Sequence, residues 1–345
     1  MSTVRYKTSP DPVSTDGRDI DRKIAELAGE AADQQASGAA GKHIEKQAGT
    51  WTQLPQPHAA DPTYYDRPLL NESVWGWAIP TYYYVGGLAG ASLALGAALE
   101  LQHAAKFDRL IRRCHWIGFL GCCVSGALLV YDLGKPQRFL NMLRVFRPTS
   151  PMNVGAWILS GTSGASAAAF FFRQAGYAAG LFGMALATYT GVLVSNTAVP
   201  LWNASRKVLP VLFAASAVTS AGSLFELFDQ DEDEARVTRA FGSVGKLAEI
   251  AASVIAEQHA SQVARVGRPF QRGFSGFLWR TAAVLTAGSV VMNLLPRPTR
   301  GKRLASGILG TVGSLLMRFA LEQAGNASAR DPRASFHSQR EPLAQ

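Results

Sequence analysis

The sequence predicts an all-α protein, a polytopic membrane helical bundle of about eight transmembrane helices with a polar N-terminal extension. Apolar residues make up 48% of the 345 residues and charged residues only 17%, below the roughly 25% that is usual in soluble proteins. Apolar segments long enough to cross about 30 Å of hydrocarbon follow one another from about residue 75 onward. The arginines cluster in the short loops between these segments, which is typical of residues that flank membrane spans.

The net charge of +9 could by itself indicate a nucleic-acid-binding protein. Because the positive residues lie in loops between apolar segments, they favour a lipid bilayer as the partner and argue against nucleic acid. The chain has three cysteines but no C-x-x-C pair, so no zinc or iron–sulfur site is expected within it.

The composition divides the chain into three parts. Residues 1–74 are polar and rich in Ala, Gly, Gln, Asp and Pro, and we expect them to lack a core of their own and to order against a partner subunit. One weak amphipathic helix is predicted within them, from Asp19 to about Gln35. Residues 75–322 form the predicted transmembrane bundle, and residues 323–345 a polar C-terminal tail.

The apolar segments predict eight spans, of which the sixth is the weakest. They run approximately from Ile79–Leu101, Cys114–Tyr131, Val154–Phe172, Ala175–Thr197, Val208–Phe228, Phe241–Ala256, Phe274–Leu295 and Ala305–Leu321. The sixth carries Lys246, Glu249 and Glu257 close to one helical face. This charged stripe either points into the bundle or belongs to a surface helix that lies in the membrane interface.

An aromatic cluster precedes and opens the first span. It consists of Trp75, Trp77, Tyr82, Tyr83 and Tyr84. Tryptophan and tyrosine favour the headgroup level of a bilayer, so the cluster predicts that the first span enters the membrane here.

The segment from Tyr131 to Met152 joins the second and third spans and is unusually rich in charge. Gly134 followed by Pro136 predicts the end of one helix, and Ser150 followed by Pro151 predicts an N-cap and the start of the next. Asp132 and Arg138 lie on either side of this Gly–Pro turn. A carboxylate paired with an arginine can orient a further hydrogen-bond donor, such as Tyr131 or Asn141. The pattern is compatible with a salt-bridged clamp between two spans and with a site for the oxygens of a lipid-soluble quinone, at which Asp132 exchanges protons.

Histidine is scarce in the predicted spans, where only His103, His115 and His259 lie at span ends. A cytochrome b needs paired axial histidines on facing helices, so the pattern argues against bound haem. His115 could exchange protons near neutral pH or could be an ordinary hydrated interfacial side chain.

The charged segment closely resembles the NrfD family of polysulfide reductase membrane subunits. The similarity rests on Asp132-Leu-Gly-Lys-Pro136, Arg138-Phe139, Asn141-Met-Leu-Arg144 and Ser150-Pro-Met152, followed by Gly155-Ala-Trp157. The stretches Pro80–Gly90 and Tyr189–Leu193 are similar to the same family. Together these stretches lie between about Trp75 and Leu224, and the second half of the chain matches more loosely.

The resemblance implies an eight-helix subunit without its own haem or metal that is not catalytic by itself. Such subunits exchange electrons between the quinone or menaquinone pool and an iron–sulfur, ferredoxin-like subunit. That partner serves a catalytic subunit, often of the molybdopterin class, in a respiratory complex of the bacterial cytoplasmic (inner) membrane. Coupling to proton translocation is a further expectation from some relatives.

The resemblance also assigns roles to residues. Proton exchange with the quinone is expected of Asp132, His115 and Tyr189. Quinone binding is expected of Arg138, Tyr131, Asn141, Tyr82 and Tyr83. Apart from the resemblance, proton conduction is expected of Glu100, Lys246 and Glu249, because ionisable residues within spans usually serve function or pair with one another. A haem-bearing cytochrome b-type anchor and a transporter or structural anchor without a redox role remain the alternatives.

Overall fold

The computed structural model describes residues 20–21, 26–27, 70–103, 105–296 and 299–335. In the N-terminal extension, Ile20–Asp21 (β1) and Glu26–Leu27 (β2) pair as a short antiparallel ladder, with Ile20 opposite Leu27. The helix predicted over Asp19–Gln35 is therefore wrong for these four residues. The rest of that prediction, and the docking role expected of the extension, fall outside the described residues.

The described chain from residue 70 onward is built of helices. The long ones are Ala78–His103 (α1), Asp108–Leu133 (α2), Pro151–Ala168 (α4), Arg173–Ser195 (α5), Leu209–Glu226 (α7), Glu232–Ser261 (α8), Gly273–Leu294 (α10) and Arg300–Arg330 (α11). Short helices lie between them at Pro136–Arg144 (α3), Pro200–Ala204 (α6) and Ala264–Gln271 (α9). Each of the eight predicted spans corresponds to one long helix, which confirms the polytopic helical bundle.

Six helices among the described residues are long and apolar enough to cross a membrane, namely α1, α2, α5, α7, α10 and α11. The helices of the third and sixth predicted spans, α4 and α8, are not among these six. Helix α8 carries many charged residues. The second half of α4 carries Ser160, Thr162 and Ser163 among glycines, which lowers its hydropathy. Its hydroxyl groups do not stay free, since Thr162 and Ser163 donate to the carbonyls of Ile158 and Leu159, each at 2.7 Å. Such bonds satisfy polar side chains within a helix.

The charged helix α8 lies with its ionisable stripe inside the bundle. Lys246 and Glu249 are both buried, and Glu257 accepts a hydrogen bond from Trp279 Nε1 at 3.1 Å. The charged stripe therefore points into the bundle, which is the first of the two predicted alternatives. Ionisable residues that face a bundle interior are typical of functional positions in membrane proteins.

The long helices form two groups of four. Helices α1, α2, α4 and α5 pack around one another, as do α7, α8, α10 and α11, and the contacts of α7 with α1 and α5 join the groups. Glycines permit the closest approaches. A Cβ on Gly90 would meet the backbone of Gly183, and a Cβ on Gly222 would meet the backbone of Gly242. Small residues at such crossings are how helices pack tightly in lipid.

The bundle has two ends, named here by the residues they hold. The Asp132 end contains the start of α1, the end of α2 and the end of α11, where Glu72 accepts two 2.6 Å hydrogen bonds from Arg330. The His115 end contains the start of α2 and the end of α7, where Arg113 of α2 donates to the carbonyl of Asp229 at 2.7 Å.

The last helix continues past Leu321, where the eighth span was predicted to end, to Arg330. Ala324, Ser328 and Ala329 are buried there. Asn326 explains why a polar sequence stays helical and packed, since its side chain donates to Glu322 at 3.1 Å and accepts from the backbone N–H of Ser73 at 3.1 Å. Burial of polar groups is tolerated when they are hydrogen-bonded.

Candidate functional site

The segment between the second and third spans begins and ends as the sequence predicts. Gly134 adopts a left-handed conformation, with φ of 67°, and donates its N–H to the carbonyl of Tyr131 at 3.2 Å. Ser150 caps α4 by accepting from the backbone N–H of Asn153 at 3.4 Å, with Pro151 in the first turn. Between these points the chain forms the short helix α3, which the sequence analysis did not anticipate.

Asn153 holds this segment in place. Its buried side-chain amide donates to the carbonyls of Met142 and Val145, the latter at 3.0 Å, and its carbonyl oxygen accepts from the backbone N–H of Arg147 at 2.7 Å. These bonds tie the end of α3 and the following loop to the first turn of α4. The sequence analysis passed over Asn153, although a polar residue just inside an apolar helix is a signal for such a role.

The predicted salt bridge between Asp132 and Arg138 is not formed in the described part of the chain. Arg138 is exposed and donates instead to the carbonyl of Leu133 at 3.3 Å. Asn153 instead fastens α3 and the following loop to the third span through neutral hydrogen bonds.

A pocket opens beside Asp132, and we call it the Asp132 pocket. Four predicted site residues meet in its wall: Asp132 from α2, Tyr82 and Tyr83 from α1, and Tyr189 from α5. The remaining wall is apolar or aromatic and is formed by Trp75, Ile79, Leu129, Leu133, Met142, Met152, Gly155, Ala156 and Leu193. A largely apolar pocket with a few convergent polar groups is the usual form of a small-molecule site.

The tyrosines of this pocket are packed into the bundle. Tyr82 and Tyr83 are buried, with ring centroids 5.8 Å apart, and Tyr83 also contacts Phe213 edge-on at 5.7 Å. Among the described residues the Tyr83 hydroxyl has no hydrogen-bond partner. A buried hydroxyl of this kind needs an explanation such as a water or a ligand.

The aromatic cluster divides into exposed and buried members. Trp77 is 59% exposed, whereas Tyr82, Tyr83 and Tyr84 are all buried. Trp75 stacks on the buried Trp202, with ring centroids 5.9 Å apart. The tyrosines face neighbouring helices because the small residues that follow them let α1 pack at the centre of the bundle.

Three predicted quinone-binding residues lie outside the wall of the pocket. Arg138 and Asn141 are exposed on α3. Tyr131 is 66% exposed and packs against Trp77, with ring centroids 5.8 Å apart. The place of Arg138 and Asn141 on the outer surface follows from the turn at Gly134, which directs α3 away from the end of α2.

His115 does not join Asp132, although both lie on α2. At 1.5 Å of rise per residue, the two positions are about 25 Å apart along the helix. His115 is buried at the other end, where its Nε2 lies 3.2 Å from Glu100 Oε1. The prediction that His115 and Asp132 serve one site is wrong, and Glu100 belongs with His115.

A string of buried ionisable residues begins next to the Asp132 pocket. Glu322 of α11 is buried, accepts from Ser73 Oγ at 2.5 Å and interacts electrostatically with Asp132. One turn along α11, Arg318 donates to the backbone carbonyl of Phe213 at 2.9 Å. Its guanidinium also lies over the aromatic ring of Phe213, 3.9 Å from the ring centroid. Arg318 interacts electrostatically with both Tyr83 and Glu249.

The string continues toward the His115 end through α8 and α7. Lys246 interacts electrostatically with Glu249, and its Nζ lies 2.8 Å from Glu226 Oε1 and 3.0 Å from Ser306 Oγ. Asn293 donates to the same Glu226 oxygen at 2.8 Å. All of these charged residues are almost completely inaccessible. Glu226, Arg318 and Glu322 were missed in the sequence, although an ionisable residue within an apolar helix is a signal for function.

Several polar atoms along this string have no hydrogen-bond partner among the described residues. They are both carboxylate oxygens of Glu249, Nε and Nη1 of Arg318, Oε2 of Glu226 and Oε2 of Glu322. A cavity of about 430 Å³ lies beside Glu249, between α8, α10 and α11. Buried polar atoms beside a cavity are where internal water binds in proteins.

The comparison with known families identifies part of the chain. Residues 68–172 match the family model described as polysulphide reductase, NrfD. The matched part includes α1 to α4, and so Tyr82, Tyr83, Asp132 and Asn153, and it confirms the resemblance predicted from the sequence. No curated protein matches the chain at a significant level. With its membrane-spanning helices, the chain is a multi-pass integral membrane protein.

Proposed function

We propose that this chain, an NrfD-like membrane subunit of a quinone-linked oxidoreductase complex, exchanges electrons between the quinone pool and an iron–sulfur partner subunit. The observation that carries the proposal is the convergence of Asp132, Tyr82, Tyr83 and Tyr189 on one pocket. Three of these four lie within the segment that matches the NrfD model. The partner in turn would serve a catalytic subunit, of the molybdopterin class in the simplest case, in the bacterial cytoplasmic membrane.

The Asp132 pocket suits the headgroup of a quinone or menaquinone. Its apolar and aromatic wall matches a flat ring. The unpartnered Tyr83 hydroxyl supplies a donor for a quinone oxygen. Asp132 is half-buried at the end of α2, where it can exchange protons with water at the membrane boundary.

The chemistry divides between this chain and its partner. Oxidation of a quinol to a quinone releases two electrons and two protons, and the reverse reaction takes them up. The electrons pass between the quinone and the iron–sulfur subunit, so the Asp132 pocket has only to hold the ring. The protons pass through hydrogen-bonding groups at the two ring oxygens, for which Asp132 and the tyrosines are suited.

The buried string provides a route by which the same protons could cross the bundle. It leads from Asp132 through Glu322, Glu249 and Lys246 to Glu226 near the His115 end, with unpartnered oxygens on both sides of Arg318. Their place in the buried string supports the conducting role that we propose for Lys246 and Glu249. Glu100 stands apart, because its contact is with His115. This arrangement supports coupling of quinone chemistry to proton translocation.

The test replaces the polar groups of the pocket in the assembled complex. Tyr83→Phe and Asp132→Asn should lower quinol-linked turnover by about 10²-fold, the lower range for loss of a proton-transfer group, while the subunits still copurify. Tyr131→Phe is the matched control, because Tyr131 lies outside the pocket and should retain turnover. Turnover near the wild-type rate in both pocket variants would refute the assignment of the site.

A further inference from the structure

A second concave surface lies at the Asp132 end, separate from the Asp132 pocket. It has a volume of about 380 Å³ and is formed by α9, the start of α10 and the end of α11. Four arginines line it, with one aspartate among them: Arg265, Arg268, Arg272, Arg330 and Asp331. We call it the arginine pocket. Its excess of positive charge is not needed for any step proposed above.

Helix α9 explains how the arginines come to one surface. Val266 and Phe270 are buried against the bundle, so Arg265 and Arg268 are left on the outer side, and Arg272 follows at the end of the helix. Helix α9 connects α8 to the membrane-spanning α10. A short helix with one apolar and one basic side, placed at the end of a span, is typical of the boundary between bilayer and water.

Two of the four arginines are already engaged. Arg330 donates two 2.6 Å hydrogen bonds to Glu72, and Arg265 Nη1 lies 3.7 Å from Asp331 Oδ2. Arg268 and Arg272 are exposed and form no ion pair within the described ranges. They are therefore the cations available to an external anion, and guanidinium groups suit phosphate oxygens because they can donate two parallel hydrogen bonds.

The arginine pocket also has an apolar side. Phe274 belongs to its wall and is 68% exposed, and Phe277, one turn further along α10, is 65% exposed. Val284 continues the same exposed apolar face toward the middle of the span. A free phosphate ion would leave this face unused, whereas a lipid would place its headgroup on the arginines and its acyl chains along α10.

We propose that the arginine pocket binds the phosphate headgroup of an anionic membrane phospholipid. Arg268 and Arg272 bind the phosphate oxygens, and Phe274 and Phe277 contact the first part of the acyl chains. The bound lipid fastens α9 to the junction of α10 and α11. This site stands independently of the quinone assignment.

The test measures lipid binding to the purified complex in detergent, with phosphatidylglycerol as the probe and phosphatidylcholine as the zwitterionic comparison. Native mass spectrometry counts the bound lipids, and a titration gives the affinity. Removal of two membrane-surface arginines in Arg268→Gln/Arg272→Gln should weaken phosphatidylglycerol binding about 30-fold. Phosphatidylcholine should bind weakly to the wild type and the variant alike.

The matched control is Arg206→Gln/Lys207→Gln, which removes the same charge from exposed positions at the same end of the bundle. It should bind phosphatidylglycerol as the wild type does. An equal loss in this control would show general charge attraction and overturn the proposal. A second variant, Arg268→Lys/Arg272→Lys, tests whether the loss reflects misfolding, because it keeps both charges but not the paired hydrogen bonds. It should fold and recover part of the affinity for phosphatidylglycerol. An affinity no higher than that of Arg268→Gln/Arg272→Gln would count against a phosphate site.

Two further measurements distinguish a phospholipid from free phosphate and from an acidic protein segment. Inorganic phosphate should not displace phosphatidylglycerol at comparable concentration, and displacement would show a site for free phosphate. If Arg268→Gln/Arg272→Gln keeps its lipid affinity but loses a partner subunit on purification, the surface docks an acidic protein segment and the lipid proposal is wrong.

Discussion

Gly155 of α4 lies directly against the ring of Tyr189 of α5, leaving no space for a side chain at position 155. A Cβ there would overlap the Cζ and Oη atoms of Tyr189. Tyr189 forms part of the wall of the Asp132 pocket. The lack of a side chain at position 155 therefore determines where the Tyr189 ring lies in that wall.

Gly155→Ala should therefore move Tyr189 and disturb the pocket. We expect a loss of stability of about 1–3 kcal/mol, the range for overpacking, together with a fall in quinol-linked turnover. Thermal unfolding of the complex in detergent and a turnover assay measure the two effects. The control is Gly164→Ala on the same helix, where an added Cβ meets no atom within 4 Å. Equal behaviour of the two variants would contradict this account of the pocket.

Asn153→Ala should loosen the segment that follows α2. The substitution removes the donor to the carbonyls of Met142 and Val145, and the loss of one such hydrogen bond costs about 0.5–1.5 kcal/mol. We expect faster proteolysis within residues 134–150 and a lower unfolding temperature. Asn141→Ala, an exposed amide in the same segment, should change neither. Similar proteolysis of both variants would mean that Asn153 is not the clamp.

The helices could be predicted from the sequence because the bilayer imposes their length and apolar composition. The turn at Gly134 and the cap at Ser150 could be predicted as well, because both depend on local backbone chemistry. The weaker hydropathy of α4 and the continuation of α11 to Arg330 could not, since hydroxyl and amide side chains there are satisfied by bonds that apolar patterning does not reveal.

The candidate site was predictable only in part. Resemblance brought Asp132, Tyr82, Tyr83 and Tyr189 together correctly, but it also included His115, whose distance from Asp132 depends on its position along α2. Arg138 has a suitable charge in the motif, yet the turn at Gly134 directs it outward. Arg318 and Glu322 come from the end of the chain, and only the packing of α11 against α1 and α7 brings them near the pocket.

Lys246→Met should be among the most destabilising single changes in the bundle. It leaves Glu226 buried with a charge and without its cation, and breaking a buried pair in this way costs about 3–5 kcal/mol. Lys246→Met/Glu226→Gln should recover a large part of the loss because no uncompensated charge remains. Denaturant unfolding in detergent measures both.

An exposed ion pair serves as the control for this series. Arg236 lies 3.3 Å from Asp233, and its side chain is 77% exposed. Arg236→Met should cost no more than about 1 kcal/mol, as is usual for surface pairs. If Lys246→Met lowers the free energy of unfolding as little as Arg236→Met does, the buried Lys246–Glu226 pair is no more important for stability than an exposed pair.

His115→Gln should leave the apparent KM for quinol unchanged within about twofold, because a group about 25 Å from the Asp132 pocket has no contact with the ring. Tyr189→Phe removes a hydroxyl from the pocket wall and should raise that KM by about tenfold, the value of one hydrogen bond. Steady-state kinetics of the purified complex over a range of quinol concentrations compares the two. A rise in KM for His115→Gln equal to that for Tyr189→Phe would place the quinone at the His115 end, and the Asp132 pocket would then need another ligand.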